Sequence, residues 1–313
     1  MKREASQRKM KGEDLQRLST EKANVASAEF DRKSSLEIAR IINAEDAKVA
    51  AVVARSLPQI ARAIDSIAAG LSKGGRLIYV GTGTSGRIAA LDAAECPPTF
   101  DTDPSLVQFL IAGGPKALGT AVEADEDSRK LGRKEIAKRR PRRNDVVVGV
   151  AASGRTPFTV AALRYARAHG AKTVAVTCNR NSELERAAQV AIVAEVGPEV
   201  VAGSTRMKAG TAQKMILNML TTGAMARLGY VYGNLMVNVH LKNEKLAERG
   251  VGILEQAAEL DRRKARRLLA AAGNRVPVAL VMAKAGVNAA QAVRALKKSG
   301  GHVRRAIILA KPT

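Results

Sequence analysis

The spacing of apolar residues changes character near residue 72. Before that point Val49, Val52, Val53, Leu57, Ile60, Ile64 and Ile67 recur mainly at intervals of three and four, the period of a helix with one buried face. The pattern predicts helix across 34–70, with a second helical stretch over 47–71; Ser34 or Ser35 is placed to cap it, and Glu37 falls in the first turn. After residue 72 short runs take over, at 76–80 (RLIYV), 106–111 (LVQFLI), 146–151 (VVVGVA), 172–177 (KTVAVT) and 190–193 (VAIV). They are nearly continuously apolar instead of alternating, as strands are when both faces of a parallel sheet are covered. With helical stretches between them they predict an α/β fold, a doubly wound five-stranded parallel sheet preceded by N-terminal helices. Ligands then belong beyond the carboxyl ends of the strands. Residues 206–230, rich in Met and Leu, read as a buried or subunit-packing helix.

The tail, 251–313, reads as all helical and repeats itself. The stretch from Leu269 (LAAAGNRVPVALV) matches the stretch from Leu296 (LKKSGGHVRRAII) at an offset of 27 residues. Each copy reads as helix, glycine cap, new helix. The expected organisation is a flexible basic arm over 1–17, a sheet domain with its N-terminal helices over 18–250, and a small helical domain over 251–313.

The formal charge of +23 on 313 residues would suit nucleic acid, an acidic surface or an anionic small molecule. The basic residues are dense at 2–11, 138–143 and 262–267, but aromatic residues are only 3% and Trp is absent. Stacking platforms for single strands are therefore few, and a solvated basic surface is preferred over nucleic-acid binding. No apolar run reaches the roughly 18 residues of a membrane helix, and the N-terminus lacks the apolar core of a signal peptide. Cys96 and Cys178, in different motifs, fit a reducing compartment. A cytoplasmic protein without a membrane partner is expected. The three histidines are scattered, with no metal-ligand spacing.

Several motifs could carry chemistry. Gly81-Thr-Gly-Thr84-Ser85-Gly86-Arg87 follows the first strand and precedes a helix. Its glycines admit close backbone approach, its hydroxyls donate, and the helix start favours an anion. It lacks the Lys-Ser/Thr of a P-loop and the spacing of a dinucleotide fingerprint. Ala152-Ser153-Gly154-Arg155-Thr156-Pro157 repeats the same physics after the third strand, with Pro157 suited to a first helical turn. Two such loops in one sheet suggest an anion held between two helix N-termini. In Gly203-Ser204-Thr205-Arg206-Met207-Lys208, Arg206 or Lys208 either faces an anion or is simply solvated. In Asp92-Ala-Ala-Glu95-Cys96-Pro97-Pro98 the prolines should end a helix. Glu95 would then sit near its C-terminus, where the dipole disfavours a carboxylate and suits a general acid; the alternative is an exposed surface Glu. Cys96 reads as a buried small residue. The acidic cluster of Glu123, Asp125, Glu126 and Asp127 places Glu126 three and four residues before Arg129 and Lys130. That spacing by itself favours ordinary helix-surface pairing.

Together with SLEIARIINAEDAKV (35–49), LDAAECPPTF (91–100), LIAGGPKAL (110–118), GSTRMKAGTAQKMILNML (203–220) and VYGNLMVNVHLKNEKL (231–246), these loops resemble the N-acetylmuramic acid 6-phosphate etherase family over nearly the whole chain after residue 17. The resemblance implies the sugar isomerase (SIS) fold, a homodimer, and no metal or organic cofactor. It implies cleavage of the lactyl ether of N-acetylmuramate 6-phosphate to N-acetylglucosamine 6-phosphate and (R)-lactate, in recycling of cell-wall amino sugars. It makes Glu95 the acid on the lactate oxygen and Glu126 the base at C2, against the bland reading that spacing gave for Glu126. Thr84, Ser85, Gly86, Ser153, Gly154, Thr156, Ser204 and Lys208 become phosphate and sugar contacts, and Asn243 and Lys245 complete the site from the same or the other subunit. The chain departs from the family pattern at Ala124-Asp125, at Asn238, at His240-Leu241-Lys242 and in its basic arm. A non-catalytic sugar-phosphate-binding regulator, similar to the glucokinase regulatory protein, is the competing reading. Retention of both glutamates weighs against it, and the ECPP motif weighs against an aldose–ketose isomerase.

Overall fold

A computed structural model describes residues 18–122, 124–239, 241 and 244–311. The expected basic arm, Glu123 and Asn243 lie outside the described residues.

Two compact units are present. Of the described residues, one holds those up to Ala93 together with those from Val107 to Leu220; the other holds Ala94–Leu106 with those from Thr221 onward. The first unit is built on strands β1 (Leu77–Gly81), β2 (Val107–Ile111), β3 (Val146–Val150), β4 (Lys172–Thr177) and β5 (Val190–Val193). All neighbouring pairs are parallel, in the order β2-β1-β3-β4-β5. The five apolar runs are therefore the five strands, each within one residue of its expected bounds. β1 and β3 are buried along their whole length, which is why neither alternates. Strand order reverses between β1 and β3, with Gly81 beside Val150. In such a sheet the crevice lies beyond the carboxyl ends of the two strands flanking the reversal, here the loops starting at Thr82 and Ala151.

The helix expected across 34–70, with its second stretch over 47–71, is three helices: Ser35–Asp46, Val49–Ala54 and Leu57–Leu71. Ser34 caps the first in a reciprocal box with Glu37, and Pro58 opens the third, where its missing N–H costs nothing. The second and third bury Val49, Val53, Ile60 and Ile67, while the first buries only Glu45; apolar spacing runs on from Val53 to Leu57 across the break, so periodicity alone does not reveal it.

Helices Arg129–Lys138 and Pro157–Ala168 approach unusually closely. A Cβ added at Gly132 would stand 2.2 Å from the Phe158 carbonyl oxygen. Gly132→Ala must push the two helices apart, and we expect a loss of about 1–3 kcal/mol, read as a lowered Tm; an unchanged Tm would mean that the helices part without cost.

The second unit buries its own apolar cluster, including Leu254, Leu269, Val276, Leu280, Leu296 and Val303. The sequence repeat appears as a repeated helix ending. Gly273 and Gly300 adopt φ of 62° and 66°. The N–H groups of Asn274 and Gly301 donate to the carbonyls of Leu269 and Leu296 at 2.9 and 2.8 Å, the Schellman pattern. New helices follow at Val276 and Val303.

Candidate functional site

The first unit gathers most of the residues expected from sequence. After β1 the chain turns directly into helix Gly83–Phe100. Ser85 and Thr82 are buried, and Thr84 is half-buried. Gly86 lets this turn lie against β2, since a Cβ there would come within 2.6 Å of Ile111. Arg87 is not turned to an anion. Its guanidinium donates to the carbonyls of Ala117 and Thr120 at 2.9 and 2.8 Å, tying down the segment after β2.

The loop after β3 is equally constrained. Gly154 has φ of 66°, and a side chain there would meet Ser182 Oγ at 2.4 Å. Its carbonyl accepts from the N–H of Leu184 at 2.8 Å. Ser153 Oγ accepts from the N–H of Arg155 at 3.3 Å. Thr156 precedes Pro157 at the start of helix Pro157–Ala168, and its hydroxyl makes no capping bond there. Two helix N-termini thus open beside each other beyond β1 and β3, an arrangement that favours anions.

Glu126 connects the two loops. Its carbonyl accepts from the N–H of Phe158 at 3.0 Å, in the first turn of helix Pro157–Ala168. Its side chain reaches the other loop, with Oε1 3.3 Å from the position a Cβ on Gly83 would take. The spacing argument for a helix-surface pair is overturned. Helix Arg129–Lys138 begins only after Ser128, which caps it, and Arg129 pairs with Glu183 at 2.8 Å. Glu126 therefore lies in the turn before that helix, with its carboxylate beside a helix N-terminus, where negative charge is favoured.

The third loop is held by a buried ionic network. Glu199 is fully buried and accepts from the N–H groups of Lys208 and Ala209 at 2.9 Å each, capping helix Lys208–Leu228. Burial pushes the Glu199 carboxyl up, and those two N–H donors oppose the push. Lys208, expected to face substrate, instead sends its ammonium to Glu45 at 2.5 Å, both side chains being almost wholly buried. Glu45 also takes Lys48, and Asn24 at 2.9 Å. Burial raises the Glu45 carboxyl, but the bonds from Lys208, Lys48 and Asn24 more than reverse this and leave it at about 2. Because that value is below the ordinary 4.5, the network contributes stability above pH 4.5 and loses it as pH falls toward 2. Removing the Lys208 charge strands a buried carboxylate. We expect Lys208→Met to cost about 3 kcal/mol in a urea melt; a change within error would mean that Lys48 alone satisfies Glu45. Ser204 is half-buried on the loop this network anchors. The helix then passes close to the first loop, with Thr84 Cγ2 3.6 Å from where a Cβ of Gly210 would lie.

Two groups were missed in the sequence. Asp92 is buried and accepts from Tyr79 Oη and Asn218 Nδ2, both at 2.8 Å, linking β1 with helices Gly83–Phe100 and Lys208–Leu228. A tyrosine within an all-apolar strand is the available signal, because its buried hydroxyl needs a partner. Asn179 joins Ser19, Thr20 and the Ala152 carbonyl, docking the start of the described chain against the β3 and β4 ends.

The expectation for Pro97 and Pro98 fails. Helix Gly83–Phe100 runs through both prolines. Proline's fixed φ is helical, so the carbonyls four residues back lose their donors while the helical path continues. Glu95 is exposed and precedes the last turn, so the helix-end argument no longer applies to it, the dipole acting only within that turn. Glu95 and Lys245 belong to the second unit, Lys245 exposed in the first turn of helix Glu244–Ala258. Cys96 and Cys178 are buried, and burial followed by the charge of Glu199 pushes the Cys178 thiol up to about 12, which leaves it unreactive. Among the described residues no three His, Cys, Asp or Glu side chains form a metal-binding group, and no single helix is long and apolar enough to cross a membrane.

Comparison with known proteins agrees with this frame. Residues 59–167 match the glucokinase regulatory protein N-terminal SIS domain, and residues 138–223 match the SIS domain. A phosphoheptose isomerase structure from Francisella tularensis shares the fold, with a TM-score of 0.50 and 19% identity, over 62% of this chain and 100% of that one. The N-acetylmuramic acid 6-phosphate etherase of Aeromonas hydrophila is 51% identical over 93% of this chain and 97% of its own. That of Klebsiella aerogenes is 49% identical over 94% and 98%, and that of Streptomyces avermitilis 50% identical over 95% and 96%. With identity at this level running almost end to end, the chain belongs to the N-acetylmuramic acid 6-phosphate etherase family.

Proposed function

We propose that this protein cleaves the lactyl ether of N-acetylmuramate 6-phosphate, releasing (R)-lactate and N-acetylglucosamine 6-phosphate, and that it does so with Glu126 and Glu95. The observation that carries the reading is the position of Glu126, whose backbone meets one anion-favouring loop and whose carboxylate meets the other. A phosphate on the hydroxyls of Thr84, Ser85, Ser153 and Thr156, and on the backbone at Gly86 and Gly154, would bring the sugar to that carboxylate.

In the open-chain sugar the C2 hydrogen is acidified by the C1 aldehyde. Glu126 takes that proton reversibly, leaving an enolate delocalised onto the C1 oxygen, and the electron pair then forms the C2–C3 double bond as the C3–O bond breaks. Glu95 delivers a proton to the departing lactate oxygen. Water then adds its hydroxyl at C3 and a proton at C2, restoring the saturated sugar. An acid and a base in different environments meet the need. Ser204 and Lys208 support the site from the third loop, Lys208 through its hold on Glu45. Asn243 and Lys245 complete it, from the same or a second subunit of a homodimer working in the cytoplasm on recycled wall sugars.

The match of residues 59–167 to a regulatory protein's domain favours one other reading, a sugar-phosphate-binding regulator without chemistry. Coupled assay of (R)-lactate from N-acetylmuramate 6-phosphate separates them. Stoichiometric release supports the etherase; saturable binding of the sugar phosphate with no lactate would establish the regulator.

A further inference from the structure

Helices Arg129–Lys138 and Pro157–Ala168 leave a groove of about 560 Å3 along their exposed sides, well within the range of small-molecule sites. One wall carries Arg129, Lys130 and Arg133, one helical turn of cations. The other carries Arg164 and Tyr165 between Ala161 and Ala168, with His169 at the end. Helical spacing puts these residues on one face of each helix.

The charges are not balanced locally. Among the described residues Glu183 alone serves both Arg129 and Arg164, at 2.8 and 3.0 Å. Its hydrogen bond from Arg129 holds its carboxyl below the ordinary value, against burial. Arg133 lies over the Tyr165 ring, 5.7 Å from its centroid, and Lys130 has no ion-pair partner among the described residues. The floor is flat. The Tyr165 and His169 rings stack with centroids 3.9 Å apart and planes 21° apart. The His169 ring is held there by Nδ1 at 2.8 Å from the Tyr165 carbonyl oxygen, and His169 is exposed.

This lining discriminates among anions. It contains no Asp or Glu and carries a stacked ring pair, which favours a phosphate joined to a flat aromatic group over a bare sugar phosphate. A flat aromatic group can stack on the His169–Tyr165 pair, and the surrounding guanidinium and ammonium groups suit phosphates. We infer that the groove binds a nucleotide, its base on the Tyr165–His169 stack and its phosphates among Lys130, Arg133 and the Arg129–Arg164 pair. This site is distinct from the loops beyond β1 and β3. It lies on the two helices that flank Glu126, one beginning just after it and the other bonded to its carbonyl.

Calorimetric titration of the full chain with ATP tests the inference. Saturable binding is expected, weakening as salt is added. Adenosine and ribose 5-phosphate should each bind at least about tenfold more weakly than ATP, the scale of one lost charge-assisted contact or stacking face. Arg133→Glu and His169→Ala should each weaken ATP by at least about tenfold on the same scale, with Tm and lactate release unchanged. Unaltered ATP binding in both variants would overturn the site, as would ribose 5-phosphate binding as well as ATP. A short oligothymidylate binding more tightly than ATP would overturn the nucleotide in favour of single-stranded nucleic acid.

Discussion

Glu126→Gln is expected to lower kcat for lactate release by about 10²–10⁴-fold, the usual contribution of a positioned general base. The amide keeps the shape of the side chain and the backbone bond to Phe158, so folding should survive. What is lost is the ability to accept the C2 proton. A second readout makes the assignment specific. In D2O the wild type should exchange the C2 hydrogen of the substrate, and the variant should not. A variant that releases no lactate yet still exchanges C2 would move the base elsewhere and leave Glu126 as a positioning residue.

Glu95→Gln should reduce lactate release on the same scale, about 10²–10⁴-fold, for the opposite reason. Proton abstraction at C2 remains available, but the lactate oxygen departs without its proton. This variant is therefore expected to retain C2 exchange while losing net cleavage. Substrates whose leaving group needs no proton, such as a fluoride at C3, should recover much of the rate. If Glu95→Gln abolishes exchange and Glu126→Gln preserves it, the acid and base exchange roles. If Glu95→Gln turns over normally, Glu95 is a surface residue, as its exposure would allow.

Much of the frame was legible in the chain because burial leaves a direct mark on composition. β1 and β3 are apolar at every position, having no solvent face to record. The glycine-rich loops were legible because close approach excludes side chains, as Gly86 against Ile111 and Gly154 against Ser182 demonstrate. Contacts between residues distant in sequence left no such mark. Lys208 looked like any loop cation, and only the fold brings Glu45 to it. Glu126 looked like a helix-surface residue because Arg129 and Lys130 follow at helical spacing; Ser128 begins the helix two residues too late for that pairing. The prolines after Glu95 misled for a related reason. They remove donors without removing the helical φ, and the sequence does not record whether a helix tolerates that loss.

The docking of Ser19 and Thr20 onto Asn179 bears on how the protein is made. The bond from the Ser19 N–H to Asn179 joins residues 160 apart in the chain. At about 5–20 residues per second, a ribosome needs roughly ten to thirty seconds to deliver the partner. The leading segment therefore emerges and waits, its hydroxyls satisfied by water, until β4 has left the exit tunnel. A fusion partner or a bulky tag placed just ahead of residue 18 would act on that wait, slowing this docking more than it weakens the finished molecule.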